Sequence, residues 1–137
     1  MFRKIVVPID LGHVEKLERA LAVSADLAKL YNADLHYLGI TTTAPSSVAH
    51  NPEEFAAKLK AFTAKQATKR GIEINSHTST SPDPVRDLDN VIETTVDNLD
   101  ADLVVMASHV PGFAEYIIAS NAGYLAAHSK ISVFVVR

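Results

Sequence analysis

Two clusters of small and polar residues carry most of the chemical potential of this chain. Ala107, Ser108 and His109 follow a short apolar run from Leu103 to Met106, and Ser120 with Asn121 heads the helical run Ala122 to His128. A strand end and a helix start both present unpaired backbone N–H groups, and the helix macrodipole adds to their attraction for anions. The chemistry this suits is the cradling of a phosphate chain. His109 beside that path can supply a donor or a titrating charge. A third element is Asp10, a carboxylate at the end of the apolar segment KIVVPI, where it either faces a ligand or caps the turn that follows. Other chemistries find no support. The chain has no cysteine, so a thiolate nucleophile and a thiolate metal site are excluded. Its histidines, His13, His36, His50, His77, His109 and His128, form no pair at the helical i, i+4 spacing of a zinc site. There is no G-x-S-x-G elbow and no P-loop lysine. Asp83, Asp87 and Asp89 cluster near a helix start and read as a solvated face that complements the dipole. No catalytic residue is assigned, and no protein-held metal site is expected.

These residues need a frame that brings separate segments to one edge. Lys4 to Ile9 is rich in β-branched residues, which marks a central strand buried on both faces, and Asp10, Leu11 and Gly12 close it. From Val14 to Tyr31, the positions Leu17, Ala20, Leu21, Ser24, Leu27, Ala28 and Tyr31 recur at three- and four-residue spacing. They form one stripe of an amphipathic helix that Asn32 ends. Asp34 to Thr41 is a second strand, interrupted by His36 and Gly39. The string TTAPSSVAHNP after it has the composition of a mobile surface loop. Asn51 as cap and Pro52 start a helix reaching about Arg70, with Phe55, Leu59 and Phe62 on its buried face and Gly71 as its terminator. Ile72 to Thr78 alternates apolar or small with polar residues, the pattern of a half-exposed edge strand. Ser81, Pro82, Asp83 and Pro84 break the chain before a helix whose inner face is Leu88, Val91, Ile92, Thr95, Val96 and Leu99. Leu103 to Met106 and the closing ISVFVVR are the last strands.

Strands alternating with helices of this length imply right-handed crossovers and a parallel sheet covered on both faces. The expected fold is α/β: one three-layer, doubly wound, Rossmann-like domain over residues 1–137, with a five-stranded mostly parallel sheet in the order 3-2-1-4-5 and four helices. In such sheets ligands bind outside the carboxyl ends of the strands, where the strand order reverses. Asp10, Ile40 with Thr41, and Ala107 to Val110 would all face that crevice.

At 137 residues the chain is long enough for one domain with a real core and no disulfides. Apolar residues make up 47% and charged residues 21%, which excludes a disordered or membrane class. The formal charge of −3 offers no basic field for nucleic acid or an anionic membrane. The apolar stretch in MFRKIVVPID is too short for a signal peptide or a spanning helix, so a cytoplasmic protein is the expectation.

The segments KIVVPID, SPDP, ASH, SNA and SVFVVR together give the chain a family likeness. It resembles the universal stress protein family, single-domain α/β proteins of which many bind ATP. The family's nucleotide pattern is Gly, two residues, Gly, nine residues, then Gly followed by Ser or Thr. Laid on this chain, Ala107, Val110 and Ala119 take the glycine positions and Ser120 the hydroxyl position. The stretch Pro111 to Ile118 is one residue short. One branch of the family instead reads Ala-Ser-His-Arg-Pro, a shortened loop, then Gly-Ser-Asn-Ala. This chain is similar to it at Ala107, Ser108, His109, Pro111, Tyr116, Ser120, Asn121 and Ala122, with Val110 and Ala119 as departures.

The resemblance implies an adenine nucleotide, ATP with any magnesium carried by the nucleotide, held by four segments. Pro8, Ile9 and Asp10 come from the first, Ile40 and Thr41 from the second, and Met106, Ala107, His109 and Val110 from the third. Ala119, Ser120 and Asn121 complete the set. It also implies a homodimer, which the apolar closing strand supports, since an uncovered edge invites pairing with its copy. Two rivals stand beside a nucleotide-binding regulatory protein: a dimeric interaction module of the same fold that has lost the nucleotide, and an enzyme that uses the same crevice.

Overall fold

The structure, a computed structural model, describes residues 1–108, 123–127 and 129–137. Five strands, β1 (Lys4–Ile9), β2 (Asp34–Thr41), β3 (Ile74–Thr80), β4 (Leu103–Ala107) and β5 (Ser132–Val136), form one sheet. The order is β3-β2-β1-β4-β5, and every pairing is parallel. This is the expected doubly wound sheet. The helices are α1 (Glu18–Tyr31), α2 (Pro52–Arg70) and α3 (Leu88–Leu99), and residues 123–127 are also helical.

Alternation along the strands divides the core into two layers. Ile5, Val7, Ile9, Leu35, Tyr37 and Val105 point to one face, where Ala20, Leu21, Ala28, Phe55 and Leu59 of α1 and α2 cover them. Val6, Leu38, Val104 and Met106 point to the other, under Ile92 and Val96 of α3 and Leu125. Gly39 allows α2 to sit down on β2. A Cβ added there would lie 2.7 Å from Phe55 Cε1 and 2.8 Å from Leu59 Cδ2.

Helix boundaries follow local chemistry. Asn51 Oδ1 accepts from the Glu54 N–H at 2.8 Å, and Glu54 Oε2 reaches back to the His50 N–H at 3.0 Å, a reciprocal cap in front of Pro52. The bond from the His50 backbone, with those from the His50 ring and Lys58, holds the Glu54 carboxyl down to about 2. Gly71 ends α2 at φ 63°, and both its N–H and that of Ile72 donate to the Ala67 carbonyl. This draws Ile72 into the helix cap, so β3 runs from Ile74 to Thr80 and not from Ile72 to Thr78. A second shift concerns α1. A 3-10 turn, Leu11–Lys16, broken at His13, precedes it, so the α-helix starts at Glu18 and not at Val14.

Candidate functional site

β1 lies between β2 and β4, and the chain winds one way from β1 through β2 to β3, then crosses over to β4 and β5. The strand order therefore reverses between β1 and β4. At the carboxyl ends of β1, β2 and β4 is a cavity of ≈ 310 Å³. Pro8, Ile9, Asp10, Ile40, Thr41, Met106 and Ala107 all line it, three segments far apart in sequence brought to one wall by the parallel register. His109, Val110, Ala119, Ser120 and Asn121 lie outside the described residues.

Asp10 makes two hydrogen bonds at once. Its Oδ1 accepts from the Gly12 N–H at 2.9 Å and its Oδ2 is 2.9 Å from His13 Nδ1, so the carboxylate caps the 3-10 turn. A carboxylate offers about four acceptor sites, so two remain for a ligand. Capping and ligand facing are thus compatible readings of one residue. Gly12 stands close against this group: a Cβ there would lie 3.2 Å from Asp10 Oδ1 and 3.6 Å from Val48 Cγ2.

Leu11, Gly12, His13, Leu17, Leu38, Thr42, Ser46, Ser47, Val48, Phe55, Pro84 and Leu88 also line the cavity, and sequence reasoning did not single them out as ligand contacts. Leu11 to His13 had a usable signal, because they directly follow a strand that ends in the crevice. The segment Thr42 to His50 had none. It is held as a wall by Ser46, whose N–H donates to the Ala49 carbonyl at 2.8 Å and whose Oγ accepts from the Val48 and Ala49 N–H groups at 3.2 and 3.3 Å. Lys58 Nζ donates to the Val48 carbonyl, and Ala49 is buried. The composition of a mobile loop is here a hydrogen-bonded turn.

The lining is mostly apolar, with Asp10, His13 and the hydroxyls of Thr41, Thr42, Ser46 and Ser47 as its polar groups. That is the usual make-up of a small-molecule site: an apolar body that binds a flat ring, and a few polar groups that orient it. Among the described residues no group of three or more His, Asp or Glu side chains converges as a metal site.

The acidic cluster at the start of α3 is a solvated face at Asp83, which is exposed, and departs from one at Asp87 and Asp89. Asp87 Oδ2 takes a 2.5 Å hydrogen bond from Ser81 Oγ, and Asp83 Oδ1 accepts from the Arg86 N–H at 3.2 Å. Asp89 Oδ1 is buried with no hydrogen-bond partner among the described residues, and burial, with Glu93 nearby, raises its carboxyl pKa.

The model of the universal stress protein family matches residues 1–137. The chain belongs to the universal stress protein family. It is 26% identical over 146 aligned positions to universal stress protein G of Salmonella typhimurium, an alignment that covers 100% of both chains. Among solved structures, it matches a universal stress protein in complex with cAMP at a TM-score of 0.68 and 21% identity, over 99% of this chain and 97% of that one. A universal stress protein from Archaeoglobus fulgidus in complex with dAMP matches at a TM-score of 0.61 and 19% identity, over 98% of each chain. As a universal stress protein, the chain places its cavity where this fold gathers strand ends. No helix among the described residues is long and apolar enough to cross a membrane.

Proposed function

We propose that this universal stress protein binds an adenine nucleotide, ATP or a relative of it, in the cavity at the carboxyl ends of β1, β2 and β4. It acts as a cytoplasmic stress-response protein by binding rather than by turnover. The observation that carries this reading is the convergence of Asp10, Thr41 and Ala107 on one mostly apolar cavity at the reversal of strand order. Fold neighbours in complex with cAMP and dAMP support the ligand class.

The cavity volume is near the lower end of what small-molecule sites occupy, roughly 300 to 1,000 Å³. It suits the base and ribose. The phosphates then extend past Ala107 at the open end of β4. The apolar surfaces of Ile40 and Leu38 take the ring, and the free lone pairs of Asp10 take hydroxyl or amino donors. Isothermal titration with adenine nucleotides tests this: a saturable heat is expected, lost in Asp10→Ala. Silence at millimolar ligand would favour a dimeric interaction module without nucleotide, which the missing motif glycines, with Val110 and Ala119 among the residues in their places, support.

The homodimer belongs to the same reading. β5 is an edge strand with Phe134 45% and Val135 40% exposed, and pairing with its copy across a two-fold axis covers both.

A further inference from the structure

We infer that His36 and His77 form a proton-operated latch beside the cavity, which holds β3 against β2 at neutral pH and releases the strand, and with it the bound ligand, in acid. The inference rests on the nucleotide reading above and names a regulation of that same site.

Alternation places His36, Leu38 and Ile40 on one face of β2, and Leu38 and Ile40 both line the cavity. The apolar wall of the cavity is thus continuous with His36. His77 of β3 is the register partner of Leu38, and its Nε2 lies 2.9 Å from His36 Nδ1, with the ring centroids 5.1 Å apart. β3 is the outer strand of the sheet and pairs with β2 alone. Its carboxyl end runs directly into the cavity wall. The Ser81 N–H, one residue past β3, donates to the Thr41 carbonyl at 2.8 Å, and Thr41 and Pro84 are both lining residues.

The pair takes up protons in two steps. In the neutral pair, one facing nitrogen donates and the other accepts. One added proton can reside on half-buried His77, whose Nε2–H then donates to His36 Nδ1, and the contact holds. A second proton makes both facing nitrogens donors and puts a charge on His36, which is buried and whose Nε2 has no partner among the described residues. The surroundings offer little compensation. Asp34 of β2 favours a charge on His36 and Lys4 of β1 opposes it, while the α3 side chains packed on this layer, Leu88, Val91, Ile92, Val96 and Leu99, are apolar. Burial accordingly holds both histidines below the ordinary imidazole value of 6.5. The latch is therefore closed at neutral pH, and its second proton is accommodated by moving His77 and β3 away from His36. A ligand that needs Leu38, Ile40 and Thr41 in place binds the closed form, so by reciprocity acid weakens the ligand.

Hydrogen exchange on the ligand-free protein and calorimetric titration with ATP, each at about pH 7.5 and about pH 5, test the inference. After correction for the intrinsic pH dependence of exchange, protection of residues 74–81 should fall at least about tenfold at the lower pH, while β1 and β4 keep theirs. ATP affinity should fall by a similar factor. In His36→Leu and in His77→Gln the loss of protection should vanish, and any fall in affinity that remains belongs to titration of the phosphates themselves. Protection unchanged in acid, or lost equally in both variants, overturns the latch. Loss of protection with no greater loss of ATP in the parent than in the variants overturns its link to the cavity. ATP binding at neither pH overturns the nucleotide reading, and the latch then stands or falls on the exchange data. Those data on the parent need no variant, so the test survives if His36→Leu does not fold.

Discussion

Asp10 and Gly39 show how much one residue can carry here. The Asp10 carboxylate holds the Gly12 N–H and the His13 ring, and through them the turn that forms part of the cavity wall. Asp10→Ala should cost about 1 kcal/mol, as loss of a side-chain cap does, and should abolish the heat of the proposed nucleotide binding. Asp10→Asn keeps an acceptor for Gly12 and should recover most of the stability. Urea denaturation and calorimetry on the same samples separate the two effects. Gly39 is demanded by packing and not by backbone conformation. Gly39→Ala would push a methyl into Phe55 and Leu59, and a loss of roughly 1 to 3 kcal/mol is expected from overpacking, read as a lower urea midpoint with an unchanged m-value.

Strands β2 and β3 are joined by a pair of histidines on the α3 side of the sheet. His36 Nδ1 is 2.9 Å from His77 Nε2, and His36 is 8% exposed with its other nitrogen buried and unpartnered among the described residues. Burial, reinforced by the neighbouring His77, lowers the His36 pKa, and burial lowers that of His77; Asp34 opposes the shift at His36 and Lys4 adds to it. Folded pKa values below the unfolded value of 6.5 mean that the unfolded chain binds more protons. Stability is therefore full above pH 6.5 and falls as the pH drops toward the folded pKa values. Thermal melts across that range should show an acid limb in the parent protein. His36→Leu, which removes the buried titrating group, should flatten it; an equally steep limb in the variant would assign it elsewhere. The termini of α2 give a second test. Asn51→Ala removes the acceptor for the Glu54 N–H and should cost about 1 kcal/mol.

For the molecule as a whole, the β5 edge is the surface that invites a partner. Val136 is buried while Phe134 and Val135, on opposite faces of the strand, are both exposed. Edge strands exposed in this way are paired, covered or charged in stable proteins. If β5 pairs with its copy as proposed, Phe134→Lys should run as a monomer in light scattering at concentrations where the parent runs as a dimer, with little change in the far-ultraviolet spectrum. Across the rest of the chain, Glu18 at the head of α1 meets Lys69 and Arg70 at the foot of α2, each at 3.0 Å. The Lys69 bond, ahead of the charge and bonds of Arg70, lowers the Glu18 carboxyl pKa. Near that pair the Tyr37 hydroxyl is buried without a hydrogen-bond partner among the described residues, and burial outweighs the nearby Arg70 charge to push its pKa up to about 12.

What the sequence determined was most of what depends on near neighbours and period, the starts of α1 and β3 excepted. The β-branched run Lys4 to Ile9, the stripe Leu17 to Tyr31, Asn51 with Pro52 and Gly71 for α2, and the edge character of β3 were legible because caps and alternation act over a few residues. From them came the strand order, and with it the meeting of Asp10, Ile40 and Ala107 at one edge. Only the tertiary structure decided the wall built by Ser46 to Val48, the contact of Gly39 with α2, and the meeting of His36 with His77. Each is an encounter through space between segments whose separate patterns say nothing of one another. A composition that reads as loop or as interrupted strand has its meaning set by what packs against it.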